Sequence, residues 1–193
     1  MSRKTFLIGT SAIILLVVLS ATVLFRNNNP AFHGQAITPP LPAAEIHMPD
    51  QNGNDFQLSA QHGKVVLVFF GFLNCPDECP LTMAHLGQVM KKLGADAQNV
   101  QVVLVSTDPV RDTPQAMKEY LANFNPTFLG VTGTQDQLQP IWNDYGVMVL
   151  DGGETHSAYV YVIDQNGDLR LTFDTEMSPD EIASDLKTLL AVQ

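Results

Sequence analysis

The sequence predicts an α/β fold, a central sheet flanked by helices, preceded by one N-terminal transmembrane helix. Three features predict it. Phe6 to Phe25 is a run of 20 residues without a charge. Val65-Val66-Leu67-Val68-Phe69-Phe70 is apolar without alternation, the pattern of a strand buried on both faces. From there to the end of the chain, strand-like and helix-like periodicities alternate.

The apolar run comes first. At 1.5 Å per residue a helix of that length covers roughly 30 Å, one hydrocarbon core. Leu19-Ser20-Ala21 is a poor cleavage site and the run exceeds a signal peptide's apolar stretch, so a retained anchor over residues 1–26 is expected. Arg3 and Lys4 precede it and only Arg26 follows, which holds the N-terminus in the cytoplasm and turns the rest outward. No Arg- and Ser-rich transit peptide precedes it, which favours a bacterial inner membrane with the domain in the periplasm. Residues 27–43 hold Asn27-Asn28-Asn29, Pro30, Pro39, Pro40 and Pro42 and lack hydrophobic periodicity, so they read as a semi-extended, inert spacer. One domain over residues 44–193 remains, a usual size for a single core.

In that domain Phe56 and Leu58 mark a short edge strand, and Val65 to Phe70 the central one. A helix follows the cysteine segment as far as Leu93, with Leu86, Val89, Met90 and Leu93 on one face, and Val100 to Val105 is a second buried strand. Asp112 or Thr113 can cap a helix that has Pro114 in its first turn. Phe128 to Val131 is a short strand, and Thr134 to Tyr145 is helical despite Pro140. Ser157 to Ile163 and Leu169 to Phe173 form a hairpin around Asp164-Gln165-Asn166-Gly167. Ser178-Pro179-Asp180-Glu181 is a capping box opening a last helix with Ile182, Leu186, Leu189 and Leu190 inward. Strand, cysteine motif at a helix start, strand, helix and a final hairpin plus helix is the order of a thioredoxin-like sandwich.

Charge narrows the partners. Three of the ten basic residues lie in the leader, leaving seven against 20 acids from Glu45 onward. Such a surface repels phosphates, so nucleic acid is excluded as a partner and cations are favoured.

The chemistry gathers at Gly71-Phe72-Leu73-Asn74-Cys75-Pro76-Asp77-Glu78-Cys79-Pro80, between the buried strand and a helix. These two cysteines are the only ones in the chain. Four residues apart on a helical turn, both sulfurs can face one ion or form a disulfide, so metal binding and redox chemistry are both open. A helix N-terminus favours thiolate, whereas Asp77 and Glu78 oppose it; both acids also suit a helix start, and Asp77 is a candidate neighbour of the site rather than a ligand. A purely structural bridge is the weaker reading, because a loop this short stabilises little.

Five histidines are available as a third ligand. His33 lies in the spacer and His47 and His62 in turn-like segments, where a solvated role is expected. His85, six residues beyond Cys79, is turned about 120° from the ligand face of a helix. His156 ends the polar, Gly-rich loop Asp151-Gly152-Gly153-Glu154-Thr155, and alone it would read as a surface residue. Met83, Met90, Met117 and Met148 read as core filler before metal ligands.

Three segments together resemble one family. Cys75-Pro76-Asp77-Glu78-Cys79-Pro80, Thr107-Asp108-Pro109-Val110-Arg111-Asp112-Thr113-Pro114 and His156-Ser157-Ala158-Tyr159-Val160-Tyr161-Val162-Ile163-Asp164 are similar to the Sco/SenC proteins across almost the whole domain. The resemblance implies a thioredoxin-like fold and a copper chaperone or thiol reductant that helps build the binuclear copper centre of cytochrome c oxidase. It implies copper, as Cu(I) or Cu(II), on Cys75, Cys79 and His156, with Cys75 and Cys79 also able to form a redox-active disulfide. It further implies the oxidase subunit carrying that centre as partner, with an upstream copper donor or thiol reductant. Leu73-Asn74 departs from the residues the family often has there. Asp108 to Pro114 reads as structural: an Asp108–Arg111 pair and a cap from Asp112. A peroxiredoxin-like peroxidase fits the fold but not the adjacent cysteine pair.

Overall fold

Residues 31–149 and 159–191 are described by the structure, a computed structural model. The apolar run Phe6–Phe25 and His156 lie outside these residues. Among the described residues no helix is long and apolar enough to cross a membrane.

Val65–Gly71 (β4) is the middle of the sheet because it can be buried on both sides; every one of its residues is buried. Val100–Ser106 (β5) pairs with it in parallel and Val160–Ile163 (β7) antiparallel. Leu129–Val131 (β6) extends the parallel side, and Asp168–Phe173 (β8) the antiparallel side through the Asp164–Gly167 turn. Gln35–Pro42 (β1) closes the far edge on β8, giving the order β1-β8-β7-β4-β5-β6. His47–Pro49 (β2) and Asp55–Gln57 (β3) pair separately.

β1 corrects the spacer expected over residues 27–43. Its prolines place it at a sheet edge, where a missing N–H harms no ladder, and its register shifts between Ala36 and Leu41, across Pro39 and Pro40. The chain divides after Phe32, and the compact unit begins at His33, not at residue 44. His33 is not simply solvated either. Its backbone N–H and Nδ1 reach the buried carboxylate of Asp185, at 2.9 and 2.7 Å, and Gly34 N–H donates to the same group at 2.8 Å.

Alternation along β4 separates two layers. Val66, Val68 and Phe70 face a core with Met48, Phe56, Leu138, Ile141, Trp142 and Tyr161. That face is covered by Gln135–Asp144 (α3), opened by a capping box between Thr134 and Gln137 that tolerates Pro140. The other face carries Glu78–Leu93 (α1), Pro114–Ala122 (α2) and Pro179–Ala191 (α4). Gly130 shows the fit of α2: a Cβ there would stand 2.1 Å from Met117 Cγ. Thr113 caps α2 ahead of Pro114, and Ser178 and Glu181 form the box expected for α4. Met83, Met90 and Met117 are core, whereas Met148 is 61% exposed, against the expectation of core filler.

Candidate metal centre

The cysteine segment leaves the sheet at Gly71, and two close approaches explain that glycine. A Cβ there would lie 3.0 Å from Cys79 Sγ and 2.9 Å from the Phe69 ring. Only Cys79 is in α1; Cys75 lies in the turn before it, so the two do not share a helical face as i and i+4. They meet because the turn folds back. Cys75 N–H donates to the Phe72 carbonyl at 3.3 Å, and Cys79 N–H donates to Cys75 Sγ at 3.4 Å. The first turn of a helix has unpaired N–H groups, and here a sulfur accepts one of them. Asp77, at the cap position, is exposed and its side chain makes no cap bond.

Both cysteines are free thiols, Cys75 half-buried and Cys79 buried. Burial pushes the Cys79 thiol up to about 12, and a backbone hydrogen bond from Phe72 opposes this only in part. Desolvation therefore outweighs the favourable helix end at Cys79. Cys75 is the sulfur a partner can reach.

The segment 107–113 supports this turn, in a way its sequence did not disclose. Asp112 is fully buried. Its carboxylate accepts from Leu73 N–H at 3.2 Å, two residues before Cys75, and from Ser106 Oγ at 2.7 Å, at the end of β5. Its carbonyl takes Thr132 Oγ1 at 2.7 Å. Burial pushes the Asp112 carboxyl up despite these bonds. Asp112 is thus a clasp between the cysteine turn and two strand ends, while the capping role expected of it belongs to Thr113. The Asp108–Arg111 pair is formed as expected.

Among the described residues no third His, Cys, Asp or Glu joins the two sulfurs in a metal-sized group. His85 is on α1, and His47 pairs with exposed Asp55 at 2.8 Å. The sheet register bears on where the 150–158 segment ends. The chain returns at Tyr159, and Val160 stands opposite Phe69, at the end of β4 from which the cysteine turn departs.

Helices on both faces of a mixed sheet, with a dithiol turn where the central strand passes into a helix, define a thioredoxin-like dithiol domain. The SCO1/SenC family pattern matches residues 41–191, and the chain belongs to that family. A SCO2-like protein of Rickettsia felis is 33% identical over 152 residues, 74% of each chain. Bradyrhizobium japonicum ScoI, solved with copper bound, is 33% identical with a TM-score of 0.68, covering 77% of this chain and 99% of that one. Yeast Sco1, also solved with copper bound, is 29% identical with a TM-score of 0.71, covering 80% and 91%.

Proposed function

We propose that this protein is a copper metallochaperone for assembly of the copper centre of cytochrome c oxidase, holding its cargo on Cys75, Cys79 and His156. The observation that carries the reading is the fold-back of the turn, which sets the Cys75 sulfur 3.4 Å from the Cys79 amide at a partly open site. Two thiolates and an imidazole are a soft donor set suited to Cu(I) and able to hold Cu(II). Relatives with copper bound support the choice of metal. His156 precedes Tyr159 by three residues, a span of at most roughly 10 Å. Tyr159 in turn leads into β7 beside Phe69, so chain connectivity supports a ligand from this loop.

Loading displaces protons from both thiols, so apparent affinity rises with pH. Release to an acceptor proceeds by ligand exchange through the more accessible Cys75. The uncharged run Phe6–Phe25 supports a tether to the cytoplasmic membrane with the domain in the periplasm, where the oxidase subunit bearing the copper centre would meet it.

A second reading, a thiol-disulfide reductase for the acceptor's cysteines, is favoured by the unequal exposure of the pair. The Cys75 thiolate would attack one sulfur of the acceptor disulfide and expel the other as thiolate. Cys79 would then attack Cys75 in the mixed disulfide, leaving the acceptor reduced and Cys75–Cys79 oxidised.

Titration of the reduced, detergent-purified full-length protein with Cu(I) and Cu(II) tests the first reading. One copper per chain and a sulfur-to-Cu(II) charge-transfer band are expected, with the band lost in Cys75→Ser and Cys79→Ser and binding weakened in His156→Ala. Unchanged binding in His156→Ala overturns the ligand set. Disulfide reduction by the same variants separates the second reading, since it requires both cysteines and not His156.

A further inference from the structure

Two side-chain hydroxyls are buried without a hydrogen-bond partner among the described residues, Thr82 Oγ1 and Tyr120 OH. A buried hydroxyl left unpaired costs free energy, and natural cores retain few of them. Both flank Cys79. Thr82 follows it by three residues on α1 and is buried beside it. Tyr120 comes from α2, and the turn after that helix lies against α1. Its ring packs on Phe124 with centroids 5.0 Å apart, and the Phe124 carbonyl would stand 3.1 Å from a Cβ at Gly87 of α1. Tyr120 is one turn back from Phe124, and Thr82 and Cys79 are one to two turns back from Gly87, so the phenol is carried along α1 toward the cysteines. Burial opposes its ionisation first, and the Cys79, Cys75 and Asp112 side chains add to this.

We propose that the Tyr120 hydroxyl is a positioning donor held for the Cys79 sulfur, one that gains its missing partner when that sulfur is a metal-bound thiolate. A thiol is a weak acceptor and a thiolate a strong one, so the unpaired hydroxyl and the buried thiol are two halves of one contact that completes on loading. The phenol suits the task because burial pushes its ionisation well up, leaving it a donor throughout the working pH range. Removing copper leaves both groups neutral and unpaired again, which favours a site that can also let its cargo go. The inference rests on the copper-site reading and adds the residue that tunes its buried sulfur.

Tyr120→Phe removes one oxygen and keeps the ring. In the full-length protein we expect the copper dissociation constant to rise about tenfold, the scale of one hydrogen bond to a charged group. We also expect the sulfur-to-Cu(II) band to move to lower energy, because the sulfur orbitals lose a stabilising donor. The copper-free protein should melt no lower than the parent, since only an unpaired hydroxyl has gone. Thr82→Val, made in parallel, should leave the band in place. A Tyr120→Phe protein with the parent's band and affinity overturns the inference, as does a band that moves only in Thr82→Val. A parent protein without the thiolate band ends the copper reading itself, and the inference with it.

Discussion

Asp112 and Asp185 are both buried acids that fasten a distant stretch of chain, yet their partners differ in kind. Asp112 takes Ser106 Oγ and the Leu73 amide, both neutral, and so pins the cysteine turn. Asp185 takes the amides of His33 and Gly34 and also the His33 imidazole, which is half exposed and titrates. The site is thus held through uncharged partners, whereas the edge strand is held partly through an imidazole that titrates.

The largest effect should come from Asp185→Ala, which strands two backbone amides and an imidazole. We expect a loss of about 3 kcal/mol in denaturant unfolding. A loss near zero would show that the β1 edge is not secured there.

Asp112→Ala should cost about 2 kcal/mol and speed alkylation of Cys75 as the turn loosens, whereas Asp112→Asn, which keeps an acceptor for Leu73 N–H, should lose under about 1 kcal/mol. Equal losses in the two variants would mean that the negative charge, not the acceptor, secures the turn.

Gly71→Ala tests the same side by crowding. Its Cβ must displace Cys79 Sγ or the Phe69 ring, at about 1–2 kcal/mol. The measurement is unfolding together with copper affinity, and a variant unchanged in both would show that the sulfur has room to spare.

The smallest effect is the pH dependence. The Asp185 carboxylate raises the His33 imidazole above its ordinary 6.5. Its contribution is therefore complete below pH 6.5 and fades as pH rises through the raised folded-state value. Asp112 is also raised, from 3.8, so its contribution is complete below that pH and fades as pH rises through its raised folded-state value. Stability between pH 6 and 8 should thus fall slightly with pH in the parent and flatten in His33→Gln. An identical slope in both would remove the imidazole from the clasp.

Elements whose signals are local were readable from the residues. The unbroken apolar run gave β4, the segment Thr134 to Tyr145 gave α3, and Ser178 to Glu181 the start of α4. What stayed hidden depends on partners far along the chain. Leu73 meets Asp112 across 39 positions and His33 meets Asp185 across 152, and no periodicity encodes either. β1 was missed because a proline-rich strand has no alternation to find and exists through its pairing with β8. The site was legible in its cysteines but not in its geometry: Cys75 lies outside α1, so the spacing rule for a helix did not apply to it. Asp112 and Tyr120 carried no signal that set them apart from a cap and a core aromatic.

Strand β1 has a practical consequence for anyone shortening this protein. Trimming at Ala44, where the sequence places the end of a proline-rich spacer, strips β8 of its outer neighbour and opens a ribbon of unpaired amides and carbonyls beside Leu171 and Phe173. Such a border invites other chains to dock on it and clump. A cut upstream of His33 keeps the border sealed.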